Sequence, residues 1–127
     1  MNFLRWLGVI AAAFVSASCG QSTSAGRDPL EIPNTGSLFL QPSGVTPTSV
    51  LIKAGGTISI FNSDTVDHMV ASNPHPQRSD CPEINTPTLR PGATHTVTLR
   101  LMAERCGFHD FLQPGNVNFQ GLITVQN

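Results

Sequence analysis

CGFHDFLQPGNVNFQGLITV, residues 106–125, is the stretch that decides how the rest of the chain is interpreted. It places Cys106 and His109 in a Cys-x-x-His spacing, followed by a long loop. It ends in the residues LITV, a short alternating run that is typical of a β-strand. The upstream chain is therefore predicted to be a scaffold that can bring one further histidine, His68, to this loop.

Short alternating segments separated by proline and glycine extend upstream of this stretch. No window has the 3.6-residue periodicity of an amphipathic helix of useful length, whereas period-2 alternation recurs. Seven strands are predicted: Ser37–Gln41, Ser49–Lys53, Thr57–Asn62, His68–Ala71, Thr94–Leu101, Arg105–His109 and Leu122–Val125. Short strands at these intervals predict an all-β fold, an antiparallel β-sandwich.

The first 18 residues have the features of an export signal. Arg5 supplies a positive charge, Trp6–Val15 is apolar and Ser16–Ser18 are small. The apolar run is much shorter than the roughly 20 residues that span a bilayer. Cys19 follows directly and resembles the lipidated cysteine of a bacterial lipoprotein, although Ser16 stands where leucine is usual. Lipidation of Cys19 and ordinary cleavage nearby are both compatible with the pattern, and lipidation is favoured.

The length allows a single folded domain after this signal. Residues 1–18 are predicted to be the signal peptide, residues 19–33 the anchor cysteine with a flexible tether, and residues 34–127 the domain. The tether is rich in Ser, Gly, Thr and Pro, a composition typical of linkers. We therefore expect an exported protein on the periplasmic or cell-surface side, held to a bacterial membrane through a lipid anchor only.

The charge balance excludes several classes of function. Loss of Arg5 with the signal leaves six basic and eight acidic residues, a net charge of about −2. Such a chain has no basic footprint for nucleic acid or for anionic lipid. It also contains no nucleophile-elbow arrangement and no phosphate-binding glycine loop. The sequence therefore predicts neither a nucleic-acid-binding protein nor an enzyme.

Two segments of the sequence resemble a known family. Residues 52–62, IKAGGTISIFN, followed by DHMV at 67–70, resemble the first half of a cupredoxin (blue copper, plastocyanin-like) domain. GLITV at 121–125 is similar to the closing strand of that family. The resemblance covers about Ser37 to Asn127. It implies a Greek-key sandwich that holds copper at one end through two imidazoles, a thiolate and a weak axial ligand. It also implies electron transfer with a redox protein partner.

The resemblance leaves two ligand registers open. In the first, the Cys-x-x-His spacing gives a type 1 copper set of His68, Cys106 and His109. In the second, Phe108 matches the aromatic residue that precedes the ligand cysteine by two positions. Asp110 then takes the cysteine's position, and Cys106 points into the sandwich, too deep to reach a metal.

The second register has further consequences for the ligand set. It puts Phe119 at the axial methionine's position and Gln113 at that of the second histidine. It also resembles divergent cupredoxin-like domains that carry a Pro-His-Pro loop and a His-Asp-His run. Residues 73–76, NPHP, match the loop, whereas Phe111 replaces the last histidine of the run. The metal set predicted in this register is His68, His109 and Asp110.

The remaining candidates have plain structural interpretations. His75, between two prolines, is expected to be solvated. His95 is expected to be exposed, on the strand face opposite Val97. Asp110 could be a metal ligand, a carboxylate that orients a ligand, or the cap of a turn.

Cys81 and Cys106 could be bridged, one of them could bind copper, or both could be free. An oxidising compartment favours the bridge. The bridge would enclose 24 residues and stabilise the fold by roughly 3–4 kcal/mol.

Our first hypothesis is an exported copper-binding protein that carries electrons, or that holds copper through histidine and carboxylate. The alternative is a metal-free β-sandwich interaction module stapled by the Cys81–Cys106 disulfide. Colour separates the two hypotheses. A copper–thiolate site absorbs strongly in the visible, a histidine and carboxylate Cu(II) site is pale, and an empty sandwich shows no change on adding copper.

Overall fold

The computed structural model describes residues 31–100 and 104–127. The predicted signal peptide, Cys19 and most of the predicted tether lie outside the described residues, as does Leu101, the last residue of one predicted strand. No helix in the described ranges is long and apolar enough to cross a membrane.

Eight β-strands run through the described residues. They are β1 (Thr35–Gln41), β2 (Gly44–Thr46), β3 (Ser49–Lys53), β4 (Thr57–Asn62), β5 (Val70–Ser72), β6 (Thr94–Thr98), β7 (Glu104–Asp110) and β8 (Gly121–Gln126). The predicted bounds of β3 and β4 agree with the structure. Buried side chains alternate with exposed ones in β3 and with half-buried ones in β4. The three-residue strand β2 was missed, since it is too short to show a period of two.

The strands form two four-stranded sheets, in the orders β2-β1-β4-β6 and β3-β8-β7-β5. The predicted β-sandwich is confirmed. Each sheet also contains one parallel pair, β1 with β4 and β3 with β8, so the sheets are mixed and not wholly antiparallel. In both parallel pairs the chain passes through the opposite sheet between the two strands, since a tight hairpin can join only antiparallel neighbours.

The core lies between the inner faces of the two sheets. β4 buries Ile58 and Ile60 completely, and β8 does the same with Ile123 and Val125. Alternate residues of each strand thus share one apolar face, as in other sandwiches. Gly121 is required at the start of β8, because a Cβ there would lie 2.5 Å from a Phe108 ring carbon.

A disulfide joins Cys81 in the long β5–β6 connection to Cys106 in β7. The Cα–Cα distance is 5.7 Å, within the usual range, and both residues are fully buried. The predicted pairing is therefore present. The alternative copper set of His68, Cys106 and His109 does not agree with this disulfide, because a bonded sulfur carries no thiolate charge.

β7 presents different side chains on its two faces. Cys106 and Phe108 belong to the apolar core, and Asp110 shares their side of the strand. Gly107 and His109 occupy the outer face. The chain that follows β5 folds over this face, where the Asn73 N–H donates to the Gly107 carbonyl at 3.0 Å.

Candidate functional site

His68 lies at one end of the sandwich, two residues before β5. The strand that was predicted to begin at His68 begins at Val70 in the structure. His68 itself pairs only with Leu89, in an isolated bridge. The two backbone hydrogen bonds of that bridge are 3.0 and 2.7 Å long. They fix the backbone that carries a completely buried imidazole.

Both ring nitrogens of His68 meet carboxylates. Nδ1 lies 2.6 Å from Oδ2 of Asp110, and Nε2 lies 2.9 Å from Oδ2 of Asp64. Ionised carboxylates only accept hydrogen bonds, so a ring nitrogen that bonds to one acts as the donor. The three residues, called here the inner triad, thus form a carboxylate–imidazole–carboxylate arrangement.

Asp110 is buried, and its second carboxylate oxygen, Oδ1, accepts two backbone hydrogen bonds. Oδ1 accepts from the backbone N–H groups of Met69 and Leu112, each at 3.0 Å. Hydrogen bonds to an ionised acceptor are about twice as strong as neutral ones. The carboxylate therefore ties the end of β7 to the start of β5.

Asp64 is held in the connection between β4 and β5. Its own N–H donates to Oδ1 of the buried Asn62, and its carboxylate accepts from the backbone N–H of Thr65. The hydrogen bond from His68 is the main cause that lowers the pKa of Asp64, and the bond from Thr65 adds to it. Asp64 was not singled out from the sequence, although its spacing of four residues before His68 was visible.

Phe119 packs against the imidazole of the inner triad. The two ring centroids are 4.5 Å apart and the planes are tilted by 34°. Phe119 is buried at the end of a short 3₁₀-helix, Val117–Phe119. The side chain that the resemblance aligns with an axial methionine is therefore an apolar cover over His68.

A second pair of histidines lies on the outer face of β7. Nδ1 of His109 is 2.8 Å from Oδ1 of Asn73, and Nε2 is 3.2 Å from Nδ1 of His75. We call His75 and His109 the outer pair. Burial lowers the pKa of His109, the positive charge of His75 lowers it further, and Asp110 opposes both effects.

The predicted metal set of His68, His109 and Asp110 is not brought together as one group. His68 and Asp110 meet, whereas His109 lies on the other face of β7, because adjacent residues of a strand alternate. Among residues 31–100 and 104–127, no group of three or more His, Cys, Asp or Glu side chains could hold a metal ion.

Type 1 copper does not fit the residues that meet at this end of the sandwich. Cys106 is in a disulfide, and the hydrogen bonds of His68 leave neither ring nitrogen free as a donor to a metal. Gln113, at the aligned position of the second histidine, accepts a 3.0 Å hydrogen bond from Asn116.

The expectation that His95 is exposed on the face opposite Val97 is wrong. His95 is half-buried and pairs with Ile60 of β4, while Val97 pairs with Ile58. Residues two apart in a strand share a face, so His95 lies on the same side as Val97. His75 is exposed as expected, but it is not free of contacts.

Comparison with solved structures shows a cupredoxin-like fold. The chain is similar to a purple cupredoxin from Nitrosopumilus maritimus, with 17% identity, a TM-score of 0.57 and coverage of 71% of this chain and 98% of that chain. A mutant amicyanin matches with 14% identity and a TM-score of 0.56, covering 70% and 79% of the two chains.

A copper-containing nitrite reductase from Thermus scotoductus matches with 19% identity and a TM-score of 0.57 over 80% of this chain. This chain spans only 24% of that reductase. Neither a protein-family model nor a curated protein matches the sequence. The described residues therefore form a cupredoxin-like domain, as the sequence resemblance predicts, and at these identities the likeness concerns the fold.

Proposed function

We propose that this chain is an exported cupredoxin-like interaction module, without enzymatic activity, in which the inner triad replaces a metal as the element that organises one end of the sandwich. The observation that carries this proposal is the hydrogen bonding of His68. With a carboxylate on each ring nitrogen, the imidazole bridges Asp64 in the β4–β5 connection and Asp110 at the end of β7. A bound metal ion commonly supplies that cross-link in this fold class.

The surface beside the triad supports a role in protein contact. Val66, Leu112 and Val117 are exposed by 49%, 47% and 72%. Val66 lies in the connection that carries Asp64, and the other two lie in the β7–β8 connection that follows Asp110. Exposed apolar side chains rimmed by polar residues are typical of protein interaction sites. A protein partner of the exported compartment fits this end of the domain.

The second candidate is the copper-holding function that the resemblance implies, with copper as cofactor and a redox protein as partner. One observation favours it: His68 and Asp110 already converge at 2.6 Å. Imidazole and carboxylate together suit several divalent transition metals.

A Cu(II) titration of the purified chain, followed by visible and EPR spectra, tests the two candidates. The interaction-module proposal predicts Cu(II) affinity that is equal in wild type and Asp110→Asn. Loss of Cu(II) binding in both His68→Ala and Asp110→Asn, with the fold retained, would support copper holding instead. His95→Gln is the matched control, because it removes a histidine outside the triad.

Export and lipid anchoring through Cys19 are part of the proposal. The small residues before Cys19 and the linker-like composition after it support them. Cys19→Ser should release the protein from the membrane fraction of a bacterial host. Unchanged membrane association would overturn the anchor.

A further inference from the structure

Two ring nitrogens of the outer pair are close enough to bind the same metal ion. The Nε2 atom of His109 and the Nδ1 atom of His75 are 3.2 Å apart. Histidine nitrogens bind Zn²⁺ at about 2.0–2.1 Å, so two nitrogens at this spacing subtend an angle of about 100° at a shared metal. That angle lies between the tetrahedral value and the square-planar value.

The tautomer of His109 is suited to metal binding. Because Oδ1 of Asn73 accepts from Nδ1–H, the Nε2 atom of a neutral His109 carries a lone pair directed towards His75. Metal-binding histidines commonly donate the other ring N–H to an oxygen in this way, which fixes the ring. Asn73 is itself anchored to β7 through the Gly107 carbonyl.

His75 is presented by a restrained loop and remains accessible. Pro74 and Pro76 restrict the backbone on either side of it. Its ring lies 4.8 Å from the ring of Phe111, which the guanidinium of Arg78 covers from 5.0 Å. The exposed ring of His75 leaves room for water or another ligand to complete a coordination sphere.

The donors of the outer pair select a class of metal. Both donors are imidazole nitrogens, the cationic Arg78 lies over the neighbouring Phe111 ring, and no carboxylate hydrogen-bonds to either imidazole in the described residues. Imidazole ligands suit Cu²⁺, Ni²⁺ and Zn²⁺, whereas Mg²⁺ and Ca²⁺ require oxygen ligands.

We propose that His75 and His109 form an open, two-histidine surface site for a divalent transition-metal ion on the outer face of β7, with Asn73 as the positioning residue. This site is separate from the inner triad and does not depend on the function proposed for it. The competing explanation is a hydrogen bond that only packs the loop against β7.

Cu(II) binding to the purified full chain tests the site, with affinity measured by calorimetry and nitrogen coordination by EPR. Wild type should bind one Cu(II) through two imidazole nitrogens. His75→Ala, which removes an exposed ring and leaves the core intact, should weaken binding by about tenfold or more. Asn73→Ala should weaken it by roughly 10–100-fold, the usual cost of losing a partner that orients a ligand. His95→Gln should bind as wild type does.

Unchanged Cu(II) affinity in His75→Ala would overturn the site and leave the packing hydrogen bond as the explanation. Binding that is lost in His68→Ala but kept in His75→Ala would also overturn it, and would place the ion at the inner triad. Thermal unfolding of each variant confirms that the compared proteins are folded.

Phe111 offers a gain-of-function test, because its ring already contacts that of His75. Phe111→His should add a third imidazole and raise Cu(II) and Zn(II) affinity by about tenfold or more relative to Phe111→Leu, the control for loss of the aromatic ring. Equal affinities in the two variants would contradict the placement of the metal between these side chains.

Discussion

His109 and Asp110 are neighbours in β7, yet their side chains belong to two histidine clusters with different hydrogen-bond partners. Asp110 belongs to the inner triad, where an imidazole is fully buried between two carboxylates. His109 belongs to the outer pair, where an imidazole is held by an amide oxygen and a second imidazole. One step along a strand separates the two environments.

The comparison shows that the partner of an imidazole decides what it can do. Carboxylates occupy both nitrogens of His68, so the ring serves as a structural cross-link between them. The amide of Asn73 uses only one nitrogen of His109 and leaves a lone pair on the other. Burial alone does not distinguish the two rings, since both histidines are buried.

The largest effect is expected from breaking the inner triad. His68→Ala should lower the free energy of unfolding by about 3–5 kcal/mol, because it leaves the buried Asp110 carboxylate without its side-chain partner. Chemical denaturation measures the loss. His75→Ala, the equivalent change in the outer pair, should cost far less, and equal losses in the two variants would remove the distinction between the regions.

Removal of the disulfide tests what Cys106, an inward-facing residue of β7, contributes to stability and to Cu(II) binding. Cys81→Ala with Cys106→Ala should lower the free energy of unfolding by about 3 kcal/mol, since the bridge links residues 25 apart in sequence. Cu(II) binding by the folded double variant should equal that of wild type. Reduced Cu(II) affinity would instead show that metal binding depends on the bridge.

Asp64 provides a smaller, acid-dependent contribution to the inner triad. In the folded state its pKa lies below the ordinary value of 3.8, so the unfolded chain binds a proton more readily than the folded chain does. The stabilisation is therefore present above pH 3.8 and lost as the pH falls through the lowered pKa. Asp64→Asn should flatten this acid limb of a stability–pH curve, and an unchanged limb would contradict the assignment.

The outer pair should produce the smallest effect, at a higher pH. The pKa of His109 is lowered from 6.5 by burial and by His75, against the opposing charge of Asp110. The unfolded state then binds more protons below pH 6.5, so stability should decline as the pH falls from 6.5 towards the lowered pKa. Histidine chemical shifts followed by NMR check this, and a His109 pKa at or above 6.5 would refute it.

Much of the fold could be predicted from local patterns. The alternation in Ser49–Lys53 and Thr57–Asn62 predicts both strands with their observed bounds, and GLITV predicts the closing strand. The inward placement of Cys106 followed from its register with Phe108. The parallel pairings of β1 with β4 and β3 with β8 were not predicted, since alternation carries no information about which strand lies alongside.

The candidate site was predicted only in part. The sequence by itself predicted His68, His109 and Asp110 as candidate metal ligands and determined that Cys81 and Cys106 can pair. Only the tertiary structure decided that Asp64 and Asp110 enclose His68 while Asn73 and His75 meet His109. The reason is physical: the contacts of Asp110 with His68 and of Asn73 and His75 with His109 join residues 34 to 42 apart, which are brought together by the packing of loops onto a strand. Asp64 is only four residues from His68, but its carboxylate is directed by the fold of the β4–β5 connection.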